Sequence, residues 1–178
     1  MVWHSEWGLK TVRERWCKLF VLLPVVMVAG CYSFTGASVP SHLKTIAIPL
    51  VDDQSGFGQP GLRENLTSQL TDLFITDNSL EVADRTKADS MLEGVITNVT
   101  DAASVVEQGE TVSKRRVTVQ ARFVFQDMKL KKKVWEKTFS NWGDYDTGGD
   151  AFLQQQSGMQ EALRKISEDI LLQTVSGW

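Results

Sequence analysis

Five apolar side chains at every second position, Val117, Val119, Ala121, Phe123 and Phe125, alternate with Thr118, Gln120, Arg122, Val124 and Gln126. Successive side chains of a strand point to opposite faces, so this run has one face to bury and one largely wet. A chain that contains it must supply an apolar layer to cover the buried face. Two segments have the required pattern. Leu62, Leu66, Leu70, Leu73 and Phe74 fall on one stripe of a helix, with Arg63, Glu64, Gln69 and Asp72 off it. Burying those five side chains would contribute about 8–15 kcal/mol before conformational entropy is subtracted. Met159, Leu163, Ile166 and Ile170 form a second stripe, and Asp150 is placed to cap the helix that carries them.

The remaining elements follow in order. Thr45 to Val51 reads as a short strand in which Pro49 suggests an edge position or an early end, and Asp52 to Gly61 as a loop. Asp77-Asn78-Ser79 stops the first helix, and Leu80 to Ala83 is a second short strand. Strand, helix and strand in succession imply parallel neighbours joined by a right-handed crossover. Ser90 to Thr100 is a strand weakened at Gly94, and residues 101–113 are expected to form a long loop or a twisted hairpin tip. Asp127 to Lys133 turns the chain, Val134 to Trp142 returns it, and Asn141 to Gly149 is a polar loop. The order β-α-β-β-β-β-α predicts an α+β fold: a two-layer sandwich with two helices packed on one face of a mixed, mostly antiparallel sheet.

Upstream of this body, Leu19 to Gly30 is apolar and follows Lys10, Arg13, Arg15 and Lys18. As a helix it would span about 18 Å, well short of the roughly 30 Å of bilayer hydrocarbon. A basic segment, a short apolar core and small residues ahead of a cleavage point make a secretory signal. Val28-Ala29-Gly30-Cys31 resembles the lipobox of bacterial lipoproteins, in which the cysteine thiol is acylated and the bond before it is cut. The expected organisation is a signal peptide over residues 1–30, a lipid-anchored tether over 31–43, with Cys31 as the mature N-terminus, and a single domain over 44–178.

The first thirty residues hold four basic and two acidic side chains out of 19 and 22, so the mature chain carries 15 against 20, a net charge of −5. A protein whose main partner was nucleic acid would be expected to carry the opposite sign. Of the two cysteines, Cys17 leaves with the signal and Cys31 is acylated, so no disulfide is expected within the mature chain.

Catalytic chemistry finds little support. The one mature histidine, His42, lies in the tether, where a solvated side chain is the expected reading, and there is no G-x-S-x-G, P-loop or H-E-x-x-H. Asp144 to Asp150 resembles the opening of a calcium loop, but its twelfth position is Gln155, which lacks the bidentate carboxylate. The chain is read as no enzyme, with no metal and no cofactor. Two basic clusters remain: Lys114-Arg115-Arg116, and Lys129 with Lys131 to Lys133. The strand between them separates them by about 30 Å, so they form no single patch. Each is expected to be a solvated loop or a guard on an exposed strand.

Cys31-Tyr-Ser-Phe-x-Gly36 and Val39-Pro-x-His-Leu-Lys-Thr-Ile-Ala-Ile-Pro49 closely resemble the start of LptE-type lipopolysaccharide-assembly lipoproteins. The helix from Leu62, Ala88-Asp-Ser-Met-Leu-Glu-Gly94 and the closing helix up to Gly177-Trp178 extend the likeness over the mature chain. The resemblance implies an outer-membrane lipoprotein on the periplasmic side that plugs the LptD β-barrel, helps assemble it, and assists passage of lipopolysaccharide to the outer leaflet. It also implies lipopolysaccharide contact by basic residues near the hairpin tip, placed by position at Lys114, Arg115 and Arg116. Replacing both arginines by alanine is expected to weaken that contact with little change in melting temperature. The alternative is an envelope lipoprotein that activates a peptidoglycan synthase, sharing the β-α-β start and the Ala-Asp element. A curli-type pore subunit is disfavoured, because the strands over 90–142 lack a sustained outward apolar band.

Overall fold

The computed structural model describes residues 39–107 and 111–176. Its elements are β1 (Thr45–Ala47), β2 (Asp52–Asp53), α1 (Leu62–Asp77), β3 (Glu81–Val82), β4 (Ser90–Glu107), β5 (Thr111–Asp127), β6 (Lys132–Asp146) and α2 (Ala151–Ser176). The six strands form one sheet in the order β3-β1-β4-β5-β6, with β2 also paired to β4. Pairing is parallel between β1 and β3, β1 and β4, and β2 and β4. The long β4-β5-β6 meander is antiparallel. The fold is therefore α+β on a mixed, mostly antiparallel sheet.

Val117, Val119, Ala121, Phe123 and Phe125 are buried in one cluster with Leu62, Leu66, Leu70 and Phe74 of α1 and with Met159, Leu163, Ile166 and Ile170 of α2. Both helices thus cover the inner face that the alternation of β5 demands. On the outer face Gln120, Arg122, Thr138 and Ser140 are exposed. Leu73, at the margin of the α1 stripe, is only half-buried. α1 begins after Gly61, whose φ of 74° is a left-handed conformation that glycine adopts without strain, and it ends at Asn78 with φ 57°. α2 has the expected cap: Asp150 Oδ1 accepts from the Phe152 and Leu153 amides at 3.0 and 3.2 Å.

The meander is longer than the periodicity suggests. β4 continues to Glu107 and β5 starts at Thr111, so most of the expected loop over 101–113 is strand. Its ladder slips between Ile96 and Asn98 and again between Ala103 and Val106, as β-bulges do. β6 likewise runs to Asp146, because its backbone keeps pairing with β5 as far as Lys114. Backbone pairing needs no apolar side chain, and the bulges interrupt the period of two in β4, so little alternation is left to read there.

Two glycines mark close approaches. A Cβ on Gly94 would lie 2.2 Å from the Phe123 ring, which covers that position from the paired strand. A Cβ on Gly143 of β6 would lie 2.0 Å from the carbonyl oxygen of Gly158 in α2, so helix and strand backbones meet there directly. At the other end of the chain, Leu43 is in the core and Val39 packs against it. These last residues of the expected tether therefore lie on the folded body, and His42 is held rather than solvated.

Candidate functional site

At the end of the sheet where α2 starts, β4, β5 and β6 bring together charged side chains on both faces. Arg115 shares the inner face with Val117, two residues on, whereas Lys114 and Arg116 take the outer face. In the ladder Asp101 lies opposite Val117, and Tyr145 opposite Arg115. Asp101 accepts from Arg115 Nε at 2.9 Å, from the Tyr145 hydroxyl at 2.6 Å and from Gln155 Nε2 at 2.7 Å. Arg115 Nε also lies 3.0 Å from the Tyr145 oxygen, and its Nη2 donates to the Asp101 carbonyl at 3.3 Å. The Asp101 side chain is only 11% exposed and Arg115 36%. Hydrogen bonds to Tyr145 and Asp101 push the Arg115 pKa further up. Burial, with the bond to Asp101, raises the Tyr145 phenol, and Arg115 opposes that rise. This network closes the inner face just past the apolar core.

On the outer face Arg116 grips Asp144 with both arms of its fork, at 2.6 and 2.9 Å, a bidentate geometry that suits phosphate equally well. That contact pulls the Asp144 carboxyl below its usual range against a weaker effect of burial. The Arg116 guanidinium carbon stands 5.1 Å from the centre of the Trp142 ring, and Lys165 Nζ of α2 stands 5.6 Å from it. Lys165 also donates to the Trp142 carbonyl at 3.0 Å. Trp142 remains 44% exposed, so an indole flanked by two cations faces solvent at the free edge of the sheet. Lys114 lies 3.8 Å from Asp146.

Of the three basic residues singled out in the sequence, Lys114 and Arg116 thus stand outward beside carboxylates, and Arg115 is tied into the fold. Cys31 lies outside the described residues, as do the side chains of Glu107 and Glu110 on the neighbouring tip. Sequence reading missed Trp142, Lys165 and the acidic partners Asp101, Asp144 and Asp146. Tyr145 continues the period of two along β6 and was legible in principle. No periodicity indicates that Lys165, twenty-three residues beyond Trp142, lies against it.

The second basic cluster occupies the β5–β6 turn at the opposite end of the strands. There Asp127, almost fully buried, receives His42 Nε2 at 2.6 Å and the Leu130 amide at 2.8 Å. Lys129 donates to the His42 carbonyl at 2.7 Å and pairs with Asp89 at 2.9 Å. Asp89 also accepts from the Lys44 amide at 2.8 Å. These contacts clip the segment before β1 to the turn.

The family model for LptE, described as lipopolysaccharide-assembly, matches residues 43–176, the whole folded body. The chain belongs to the LptE family. No curated protein matches the sequence in a direct search. Among solved structures, a hypothetical protein of Chlamydia trachomatis is similar with a TM-score of 0.57 at 8% identity, over 73% of this chain and 96% of that one. A protein of Xanthomonas campestris gives 0.53 at 11% identity, over 79% and 91%. PelC of Paraburkholderia phytofirmans, solved as a dodecamer, gives 0.50 at 12% identity, over 79% and 95%. At such identities these three share the fold with this LptE-family chain and nothing finer.

Proposed function

We propose that this chain is an outer-membrane lipoprotein that works by contact and not by turnover. Anchored at Cys31, it plugs an LptD-type β-barrel from the periplasmic side and assists the passage of lipopolysaccharide to the outer leaflet. The family match over the entire folded body carries this reading. The fold is compatible with it: a wet outer sheet face with Gln120, Arg122, Thr138 and Ser140 suits an aqueous lumen, and a core closed by two helices needs no partner to cover it. Three acyl chains at about 0.8 kcal/mol per buried methylene would hold the protein in the membrane essentially permanently. From Cys31 to Lys44 the chain reaches at most about 45 Å, which favours a partner in the same membrane over one across the periplasm.

Within this reading Lys114 and Arg116 meet lipopolysaccharide phosphates, the Arg116 fork exchanging Asp144 for phosphate beside Trp142. Arg115 positions the strand through Asp101. Arg116→Ala is expected to weaken lipopolysaccharide binding about tenfold at low salt, and less at high salt. Binding that is unchanged would remove the site. For the larger assignment, a C-terminally tagged chain extracted gently from outer membranes should co-purify with a barrel of LptD type. Isolation alone counts against the plug, and capture of a peptidoglycan synthase would favour the alternative.

A further inference from the structure

The β5–β6 turn pairs lysines with exposed apolar side chains, a combination that edge protection does not explain. Lys131 and Lys132 are exposed, and among the described residues no carboxylate lies within ion-pair distance of either. Lys133 is exposed as well, with Glu136 at 2.7 Å. The other acids about the turn are engaged elsewhere: Asp127 is buried under His42, and Asp89, which precedes β4, is held by Lys129. Leu130, 65% exposed, stands between Lys129 and Lys131, and Met128, 38% exposed, precedes them. A turn that only guarded a strand edge would display the cations without the leucine. Leu130 is displayed by a rigid device, because its amide is held by the Asp127 carboxylate.

We propose that this turn, Met128 to Lys133, is a membrane-contact surface. Leu130 and Met128 enter the interfacial layer, and Lys131 and Lys132 meet the phosphates of anionic lipid headgroups. Two observations commit it to a lipid surface. Its chemistry is that of interfacial anchors, apolar side chains beside cations with long aliphatic stems. The clip of His42 to Asp127 and Lys129 also fixes the tether's end at this same turn. Eleven residues from Cys31 to His42 span at most about 40 Å, so an acyl anchor would hold the turn close to its own leaflet. The inference rests on the proposed anchor for the nearness of the turn to a leaflet and for which leaflet it meets, whereas the chemistry of the turn stands without it. Its consequence is an orientation: eleven strand residues from Asp127 to Arg116 hold the Arg116 end about 35 Å from that leaflet.

The test uses the mature chain, residues 31–178, with Cys31→Ser, so that no apolar leader is present and Leu130→Cys carries the only thiol for an environment-sensitive fluorophore. A control carries the same label at Ser157, exposed on α2 at the far end. Samples are placed in nanodiscs of phosphatidylcholine alone or with phosphatidylglycerol. The label at 130, and not at 157, should shift to the blue and be quenched by spin-labelled lipid in the anionic discs. Each free lysine should contribute about fivefold in partitioning, so Lys131→Glu with Lys132→Glu should lower it at least about 25-fold. An unchanged circular dichroism spectrum will show that the variant still folds. A label at 130 that stays aqueous in both discs, or responds only when another protein is added, overturns the proposal. Because acylation is removed by design, this outcome is independent of the anchor, which the mass of the mature N-terminus tests separately.

Discussion

Arg115→Ala separates a lipopolysaccharide contact from a structural tie. Removing the guanidinium leaves Asp101, 11% exposed, with Tyr145 and Gln155 as its remaining partners. A charge-assisted bond contributes about 1.5–3 kcal/mol, and breaking a fully buried pair costs about 3–5 kcal/mol. Arg115 is itself 36% exposed, so water screens part of that loss and the expected cost is about 2 kcal/mol. For a domain of this size that corresponds to a fall in melting temperature of about 6 °C. The earlier expectation, that both arginines could be removed with the melting temperature nearly constant, therefore applies to Arg116 alone. A second readout reports the site itself. The chain has two tyrosines, so Tyr32→Phe leaves Tyr145 as the one phenol to titrate by ultraviolet difference absorbance. Arg115 lowers that phenol against burial and the Asp101 bond, so its removal should move the Tyr145 titration to still higher pH. Arg115→Ala with unchanged melting and unchanged phenol titration would refute the network as a structural element.

Other perturbations have equally definite outcomes. Arg116→Ala should leave the urea unfolding midpoint nearly unchanged, because its pair with Asp144 is about two-fifths exposed on each side and screened by water. Gly143→Ala drives a methyl into the Gly158 carbonyl, which no rotamer relieves, and should cost about 2–3 kcal/mol by the same assay. Burial raises the Asp127 carboxyl, but the hydrogen bonds from His42 and the Leu130 amide outweigh it, and its pKa lies below the ordinary value. Its contribution to stability is therefore complete above the unfolded value of about 3.9 and is lost as pH falls through the folded one. The stability gap between the wild type and Asp127→Asn should shrink from pH 7 to pH 3. A gap independent of pH contradicts the assignment.

Where one face is buried, the pattern of side chains records it. The alternation at Val117 to Phe125 and the stripes at Leu62 to Phe74 and Met159 to Ile170 dictated strands, helices and the layer between them. Where bulges shift the register and charged residues take over the inner face, the pattern no longer records the backbone. The ribbon from Asp101 to Glu107, and β6 beyond Trp142, therefore read as loop. The candidate site falls in that silent region, which is why Lys114 and Arg116 were found as charges while Asp144 was weighed only as part of a calcium-like loop and Trp142 only as a strand end.

Local preference and periodicity, carried by the sequence alone, were enough for the α+β class, the cap at Asp150 and the family resemblance. Pairings between distant positions belonged to the tertiary structure. Only the register of β5 against β4 and β6 placed Asp101 and Tyr145 around Arg115. Only the packing of α2 on Gly143 set Lys165 against Trp142, and only the folding-back of the segment before β1 seated His42 on Asp127. A side chain's charge is local, but whether that charge is free to meet a partner depends on what the rest of the chain has brought within 3 Å of it.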